Sequence, residues 1–232
     1  MSVRQAVFLV GGLGTRLGDL TKATPKPLLP VAGRPLLDHL LEKAAKAGLT
    51  EIVLLAGHAS DAIDAYLADY APAGRFGLTI ALSIEPERLG TGGAVVNALP
   101  LLAEAFLLIN GDTWFDFDWR GLADLAAYPA IIALKATDDA DRYETVGLDG
   151  DLITGFYVRS ATAGAGLING GLYRMQKAAI AEAASQPMPL SLEIQLAPAL
   201  CARGLLGGRV FDGDFIDIGV PESYAAARRL FA

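Results

Sequence analysis

The sequence predicts an α/β fold: a mainly parallel central sheet layered with helices, joined in its second half by antiparallel strands. Three observations lead there. Four short apolar runs, "RQAVFLV" (4–10), "EIVLLA" (51–56), "LTIALSI" (78–84) and "AFLLIN" (105–110), are bounded by turn residues and lack polar alternation, as strands buried on both faces do. Helical periodicity fills the gaps between them, and strand, helix, strand in that rhythm implies parallel pairing. Beyond about residue 128 the rhythm loosens into "AIIALKA" (130–136), "TVGLDGDLITGFYV" (145–158) and "GLINGGLYRM" (166–175). The Asp149-Gly150 pair in the middle run suits a hairpin.

Taken in order, the first strand (4–10) runs into Gly11 and Gly12. A helix over 35–48 follows from the stripe Leu36, Leu37, Leu40, Leu41, Ala44 and Ala45, closed by Gly48. After the strand at 51–56, Ser60 is placed to cap a helix over 60–70. The strand at 78–84 precedes a helix over 93–102, and the strand at 105–110 ends in Asn110-Gly111-Asp112. Helices return at 177–185, 192–203 and 221–231. There is no repeat, low-complexity tract or linker, so residues 1–232 are expected to form one domain. Ligands of such sheets sit beyond the carboxyl ends of the strands, which puts the turns at Gly11 to Gly14 and at Asn110 to Asp112 on one rim.

Composition narrows the function classes. Hydrophobic residues make up 53% and charged residues 19% of the 232, which excludes a disordered chain, while the apolar runs stop short of the ~18 to 20 residues of a membrane span. The apolar stretch near the start leads into a glycine turn instead of a cleavage site, so a cytoplasmic protein is expected. Cys201 is the sole cysteine; it excludes an intrachain disulfide, and "APALCARG" places it on a helix face, where packing is the expected role. A net charge of -7 argues against nonspecific nucleic-acid binding. Residues 1–30 nevertheless carry Arg4, Arg16, Lys22 and Lys26 against Asp19 alone, an end of the chain that would draw an anion.

The turn after the first strand fits neither of two well-known phosphate motifs. A P-loop requires Gly-x4-Gly-Lys-Ser/Thr, which is absent; a dinucleotide fingerprint begun at Gly12 meets Leu17 at its third glycine and finds no ribose acid after "LLAGH". What remains is Gly-Gly-x-Gly-Thr-Arg followed by Lys26 between Pro25 and Pro27. Such a segment suits a nucleoside triphosphate. Gly11, Gly12 and Gly14 offer unobstructed amides, Arg16 a planar fork for the outer phosphates, and Lys26 a point charge held on an extended path by its prolines. The structural alternative is a glycine-rich βα turn with a surface arginine and lysine.

"GGLGTRL" followed by "PKPLLPVAGRPLL", then "LGTGGA", "NGD", "GLINGGLY", "SLE" and "FIDIGVPESY", resembles the sugar-1-phosphate nucleotidyltransferases over nearly the whole chain. The resemblance implies the three-layer, Rossmann-like nucleotidyltransferase fold, with a nucleotide-binding half (1–127) and a sugar-binding half (128–232). It implies a nucleoside triphosphate and a sugar 1-phosphate as partners, neither nucleic acid nor membrane, and leaves room for a homo-oligomer. Its signature loop wraps the triphosphate, which adds Thr15 to the glycines; Arg16 and Lys26 would stabilise the departing pyrophosphate. Asp112, on a turn at a strand's carboxyl end, suits Mg2+, and Asp217, in an apolar stretch where an unpaired carboxylate is costly, is the natural second ligand; both match metal-binding aspartates of the family. Asp116 and Asp118 read as solvated or capping residues.

Glu85, Gly90, Gly92 and Gly93 match the family's base-reading segment, and an acidic acceptor suits guanine. The same glycines could simply begin a helix. Asn169, Gly170 and Glu193 match positions that contact sugar hydroxyls, although Ser191 and Glu193 could equally cap a helix. One departure stands out: where relatives carry Glu-Lys-Pro, this chain reads "GFYVRS", so Arg159 would take the lysine's place at the sugar phosphate. His39 and His58 lack partners at metal-ligand spacing and read as structural or surface residues. The compact length and the quoted segments look most like members that guanylylate a heptose 1-phosphate from GTP. Members acting on mannose 1-phosphate or N-acetylmuramate 1-phosphate are near neighbours, and a noncatalytic nucleotide-sugar sensor would be expected to lack one of Arg16, Lys26, Asp112 and Asp217.

Overall fold

A computed structural model describes residues 2–12, 14–21, 24–73, 75–140, 143–157 and 164–231. In chain order the first half comprises β1 (Gln5–Leu9), β2 (Pro30–Val31), β3 (Arg34–Pro35), α1 (Leu36–Lys46), β4 (Glu51–Ala56), α2 (Ser60–Ala73), β5 (Thr79–Ile84), α3 (Gly90–Asn97), β6 (Ala105–Asn110), β7 (Thr113–Phe115) and α4 (Trp119–Ala123). The second half adds β8 (Ala130–Thr137), β9 (Thr145–Asp149), β10 (Leu152–Tyr157), β11 (Gly166–Gln176), α5 (Lys177–Ala181), α6 (Ala197–Ala202), β12 (Leu206–Val210), β13 (Phe215–Asp217) and α7 (Pro221–Leu230).

Nine strands form one sheet in the order β5-β4-β1-β6-β11-β8-β12-β10-β9. The first four are parallel, as their apolar runs predict. β11 then enters antiparallel between β6 and β8, β12 lies parallel to β8, and the β9–β10 hairpin follows, its β9 turning back to pair with β11 at Thr145 and Ile168. The sheet is therefore mixed, because its antiparallel strands reach the middle instead of staying at one margin.

Register explains the missing alternation. Ala6 and Phe8 point to one face with Ile52, Leu54, Leu107 and Ile109, and that face is covered by leucines of α1 together with Ile63, Trp119 and Tyr224. Val7, Val53, Leu55, Phe106 and Leu108 point to the other, against Val95, Ile180 and Leu200. Both faces of β1, β4 and β6 are thus apolar along their middles, and their polar residues, Gln5, Glu51 and Asn110, fall at strand ends.

Several helices differ from their sequence periods for local reasons. The helix expected over 93–102 begins at Gly90, stops at Asn97 and gives way to a 3-10 turn at Leu99–Leu101, since Pro100 has no amide to extend it. Residues expected to form a helix over 192–203 instead begin with a wide turn, Leu192–Leu196, in which the Leu196 amide donates to Ser191 O at 3.0 Å. Pro198, within the first turn of α6, lacks the amide a regular helix would use there. The segment 177–185 splits into α5 and a 3-10 turn at Glu182–Ser185. Cys201 donates to Ile153 O at 3.2 Å, in keeping with a packing role, and burial raises its thiol pKa. No helix among the described residues is long and apolar enough to cross a membrane.

Candidate active site

Three parallel strands deliver the rim. β1 leads to Gly11, β4 to Gly57 and β6 to Asn110, and the turns lie so close that a Cβ on Gly11 would sit 2.6 Å from the Gly57 nitrogen. Gly111 docks by its amide on Leu9 O at 3.0 Å. Gly12, by contrast, has nothing within 4 Å of where a side chain would stand. Gly14, at φ +65, accepts through its carbonyl from the Thr21 hydroxyl at 3.0 Å, which folds the loop back on itself.

The rim opens on a cleft of about 740 Å³ whose walls include Gly11, Gly12, Arg16, Lys26, Asp112, Glu85, Gly90 and Glu193. Gly14, Thr15, Gly92, Asn169, Gly170 and Asp217 are not among its lining residues. Lys26 is 8% exposed and donates to Asp112 Oδ2 at 2.9 Å. Its prolines do not hold it on the extended path expected: Lys26 opens a single 3-10 turn through Leu28, with the Leu28 amide donating to Pro25 O at 2.9 Å.

Asp112, just ahead of β7, and Asp217, the last residue of β13, are far apart in the chain and are brought alongside through the backbone of the short β7–β13 ribbon. Asp217 registers with Thr113, and the Ile218 amide donates to Asp112 O at 2.8 Å. Each Asp217 oxygen has one partner: Oδ2 accepts from the Tyr143 hydroxyl at 2.6 Å and Oδ1 from the Gly219 amide at 2.9 Å. A Cβ on Gly219 would fall 2.6 Å from Asp217 Oδ1 and 3.6 Å from Arg16 Nη2, so the arginine reaches this same corner. Among the described residues Asp112 Oδ1 has only the Thr113 hydroxyl, at 3.4 Å. Carboxylate oxygens with spare lone pairs suit a hard divalent ion such as Mg2+. No third carboxylate, histidine or cysteine joins them in a metal cluster among the described residues.

On the opposite wall Glu85 is half-buried against Gly57 and accepts from the Leu89 amide at 2.8 Å. Burial pushes its carboxyl pKa up. The glycines that follow are committed to packing: a Cβ on Gly90 would meet Leu190 O at 2.5 Å, and the amides of Gly92 and Gly93 both donate to that oxygen. Glu193 Oε2 accepts from Thr91 Oγ1 at 2.7 Å and from Ser191 Oγ at 3.2 Å. Asn169 is engaged within β11, its Nδ2 donating to Tyr173 Oη and its Oδ1 accepting from the Gly171 amide at 2.9 Å. Gly170 lies beneath Phe115, whose ring would be 2.7 Å from a Cβ. Arg159 lies outside the described residues.

Sequence reasoning gave no site role to Thr91 or Tyr143, knew Asn110 only as part of a rim turn and read His58 as structural or surface, yet all four lie at the site. Thr91, Asn110 and His58 line the cleft, and Asn110 Oδ1 is a buried acceptor with no partner among the described residues. Tyr143 holds Asp217. "NGD" and "LGTGGA" pointed at Asn110 and Thr91; nothing local pointed at Tyr143. Asp118 caps α4 by accepting from the Arg120 amide at 3.0 Å, and Asp116 pairs with Lys43 at 2.6 Å, so both stay outside the site.

Glycine turns and the cations Arg16 and Lys26, gathered at the carboxyl edge of parallel strands, make a place suited to an anion such as polyphosphate, and comparison defines the class: the chain belongs to the nucleotidyl transferase family, matched over residues 5–232. Among its relatives, it is 38% identical to the D-glycero-alpha-D-manno-heptose 1-phosphate guanylyltransferase of Campylobacter jejuni, covering 95% of this chain and 96% of that one. It is 33% identical to the enzyme of the same name from Aneurinibacillus thermoaerophilus, covering 97% of each. The crystal structure of HddC from Yersinia pseudotuberculosis superimposes with a TM-score of 0.84 at 31% identity over the whole of both chains, and a structure of that protein complexed with GMP-PN gives 0.83.

Proposed function

We propose that this chain transfers a guanylyl group from GTP to D-glycero-D-manno-heptose 1-phosphate, forming a nucleotide-activated sugar and releasing pyrophosphate. The observation that carries the chemistry is the ribbon that brings the Asp112 and Asp217 backbones alongside each other, with Lys26 paired to the first and Arg16 in the corner of the second. The full-length likeness to heptose 1-phosphate guanylyltransferases supports the choice of substrates. On this reading the helices on the two faces of the sheet are the outer layers of a three-layer fold. Residues 1–127 serve the nucleotide and 128–232 the sugar.

The acceptor phosphate is already an anion at neutral pH, so no general base is required and catalysis rests on alignment and charge neutralisation. An acceptor oxygen bonds to the α-phosphorus of GTP as the bond to the β-bridging oxygen breaks, and pyrophosphate departs with that electron pair. Mg2+ held by Asp112 and Asp217 would neutralise phosphate charge at that centre. Arg16 and the amides about Gly11 and Gly12 grip the outer phosphates. Lys26, which donates to Asp112 Oδ2 at 2.9 Å, would be free to stabilise charge on the leaving pyrophosphate were that carboxylate to hold the metal. Glu85 accepts from the N1 and N2 donors of guanine, and Glu193 from a hydroxyl of the acceptor.

A pyrophosphate-release panel crossing GTP, UTP, dTTP, CTP and ATP with heptose, mannose, glucose and N-acetylmuramate 1-phosphates tests the assignment. GTP with the heptose is expected to give the highest kcat/KM; another pair at the top would replace it, and no turnover with any pair would favour a sensor. Asp112→Asn is expected to lower kcat on the order of 10²-fold at saturating Mg2+.

A further inference from the structure

Two segments from opposite halves of the chain are tied together at one hydroxyl. Thr91, the second residue of α3, donates through Oγ1 to Glu193 Oε2 at 2.7 Å and accepts at the same oxygen from the Leu192 amide at 2.8 Å. A threonine hydroxyl has a single proton, so its donation is directed wholly at Glu193. The second hydroxyl on Glu193 Oε2 belongs to Ser191, which also accepts from the Ile194 amide at 3.1 Å and is thereby fixed to its own turn. Glu193 Oε1 has no partner among the described residues, and both Thr91 and Glu193 line the cleft.

The other end of this connection lies on the nucleotide side. Leu89, just ahead of α3, donates its amide to Glu85, and the Gly92 and Gly93 amides hold Leu190 O at 2.9 and 3.0 Å. The start of α3 is thus attached to Glu85 on one side and to the 190–193 segment on the other. We infer that Thr91 is a positioning residue: it sets the orientation of Glu193, so that the placement of α3 by the nucleotide side governs how well the acceptor is held. The inference rests on the reading of Glu193 as an acceptor contact. Valine at this position would match threonine in shape, remove the donor to Glu193 and leave the Leu192 amide without a partner. Serine would keep both bonds.

Steady-state kinetics with GTP and D-glycero-α-D-manno-heptose 1-phosphate, each varied against a saturating partner, separate the possibilities. Thr91→Val is expected to raise the KM for the heptose phosphate roughly tenfold while the KM for GTP stays within about twofold, and Thr91→Ser to restore both. In a Glu193→Ala background, Thr91→Val is expected to add less than about a further twofold, because both changes remove one interaction. Losses that multiply in the double variant, or a GTP KM that rises as far as that of the acceptor, would overturn the role of Thr91 while leaving Glu193 in place. An unchanged acceptor KM in Glu193→Ala alone would remove the reading of Glu193, and the inference with it. Thr91→Ala gives the same readouts should the valine variant not fold.

Discussion

At the scale of single residues, neighbouring glycines separate folding from binding. Gly11 faces the Gly57 backbone, where a methyl would sit 2.6 Å from nitrogen, whereas Gly12 faces open space at the cleft. Gly11→Ala is therefore expected to lose about 1–3 kcal/mol of stability in urea denaturation through overpacking. Gly12→Ala should stay within ~0.5 kcal/mol of the parent yet raise the KM for the triphosphate. Equal losses of stability in the two variants would contradict the geometry. The same contrast shows what one sequence can tell. Arg16, Lys26 and Asp112 were legible because each stands in a short signature whose neighbours state its purpose. Tyr143 was not, since its claim on Asp217 depends on a partner 74 positions away. The partner of Lys26 was hidden for the same reason: "PKP" announces a held cation without saying that a carboxylate holds it.

At the scale of elements, His39 of α1 ties four pieces together. Its Nε2 lies 3.0 Å from Val31 O of β2, and its ring packs 4.4 Å from Phe231, just past α7, and 6.5 Å from Trp114 of β7. A carbonyl can only accept, so Nε2 carries the proton and Nδ1 is left to accept from Arg34 Nη2 at 2.9 Å. Burial, above all, lowers the imidazole pKa from its ordinary 6.5. The unfolded chain then takes up a proton near that pH while the folded one does not, so stability falls as pH drops through about 6.5 and is retained above it. Urea midpoints between pH 7.5 and 5.5 are expected to show this slope, at most about 1.4 kcal/mol per pH unit for one group, and His39→Asn to flatten it. An unaltered slope in the variant would assign it elsewhere. Strands and long helices were legible because burial on two faces and a leucine stripe are local patterns. The wide turn at Leu192–Leu196 and the bulge where β11 shifts register between Asn169 and Tyr173 were not, since each answers to a neighbour: Pro198 in one case, Phe115 lying over Gly170 in the other.

At the scale of the whole molecule, the sheet does not divide where the chain pattern changes. β11, from the second half, pairs along β6 and shields the core strands of the first. A fragment ending at residue 127 is expected to lack a cooperative unfolding transition, with β6 left as an apolar, unpaired edge; a sharp thermal transition would show that the first half stands alone. The sequence revealed parallel strands and later antiparallel ones, but strand order is decided by side-chain fit across the sheet, which no single stretch encodes. The ribbon of β7 and β13 has a temporal consequence as well. A ribosome that has made Val210 has already made the glycine-rich turn after β1, Lys26 and Asp112, but it has yet to synthesise the strand that brings Asp217 alongside. On the proposed reading, competence would arrive in one late event of translation, and a chain stalled before Phe215 would be silent however well its earlier portion had collapsed.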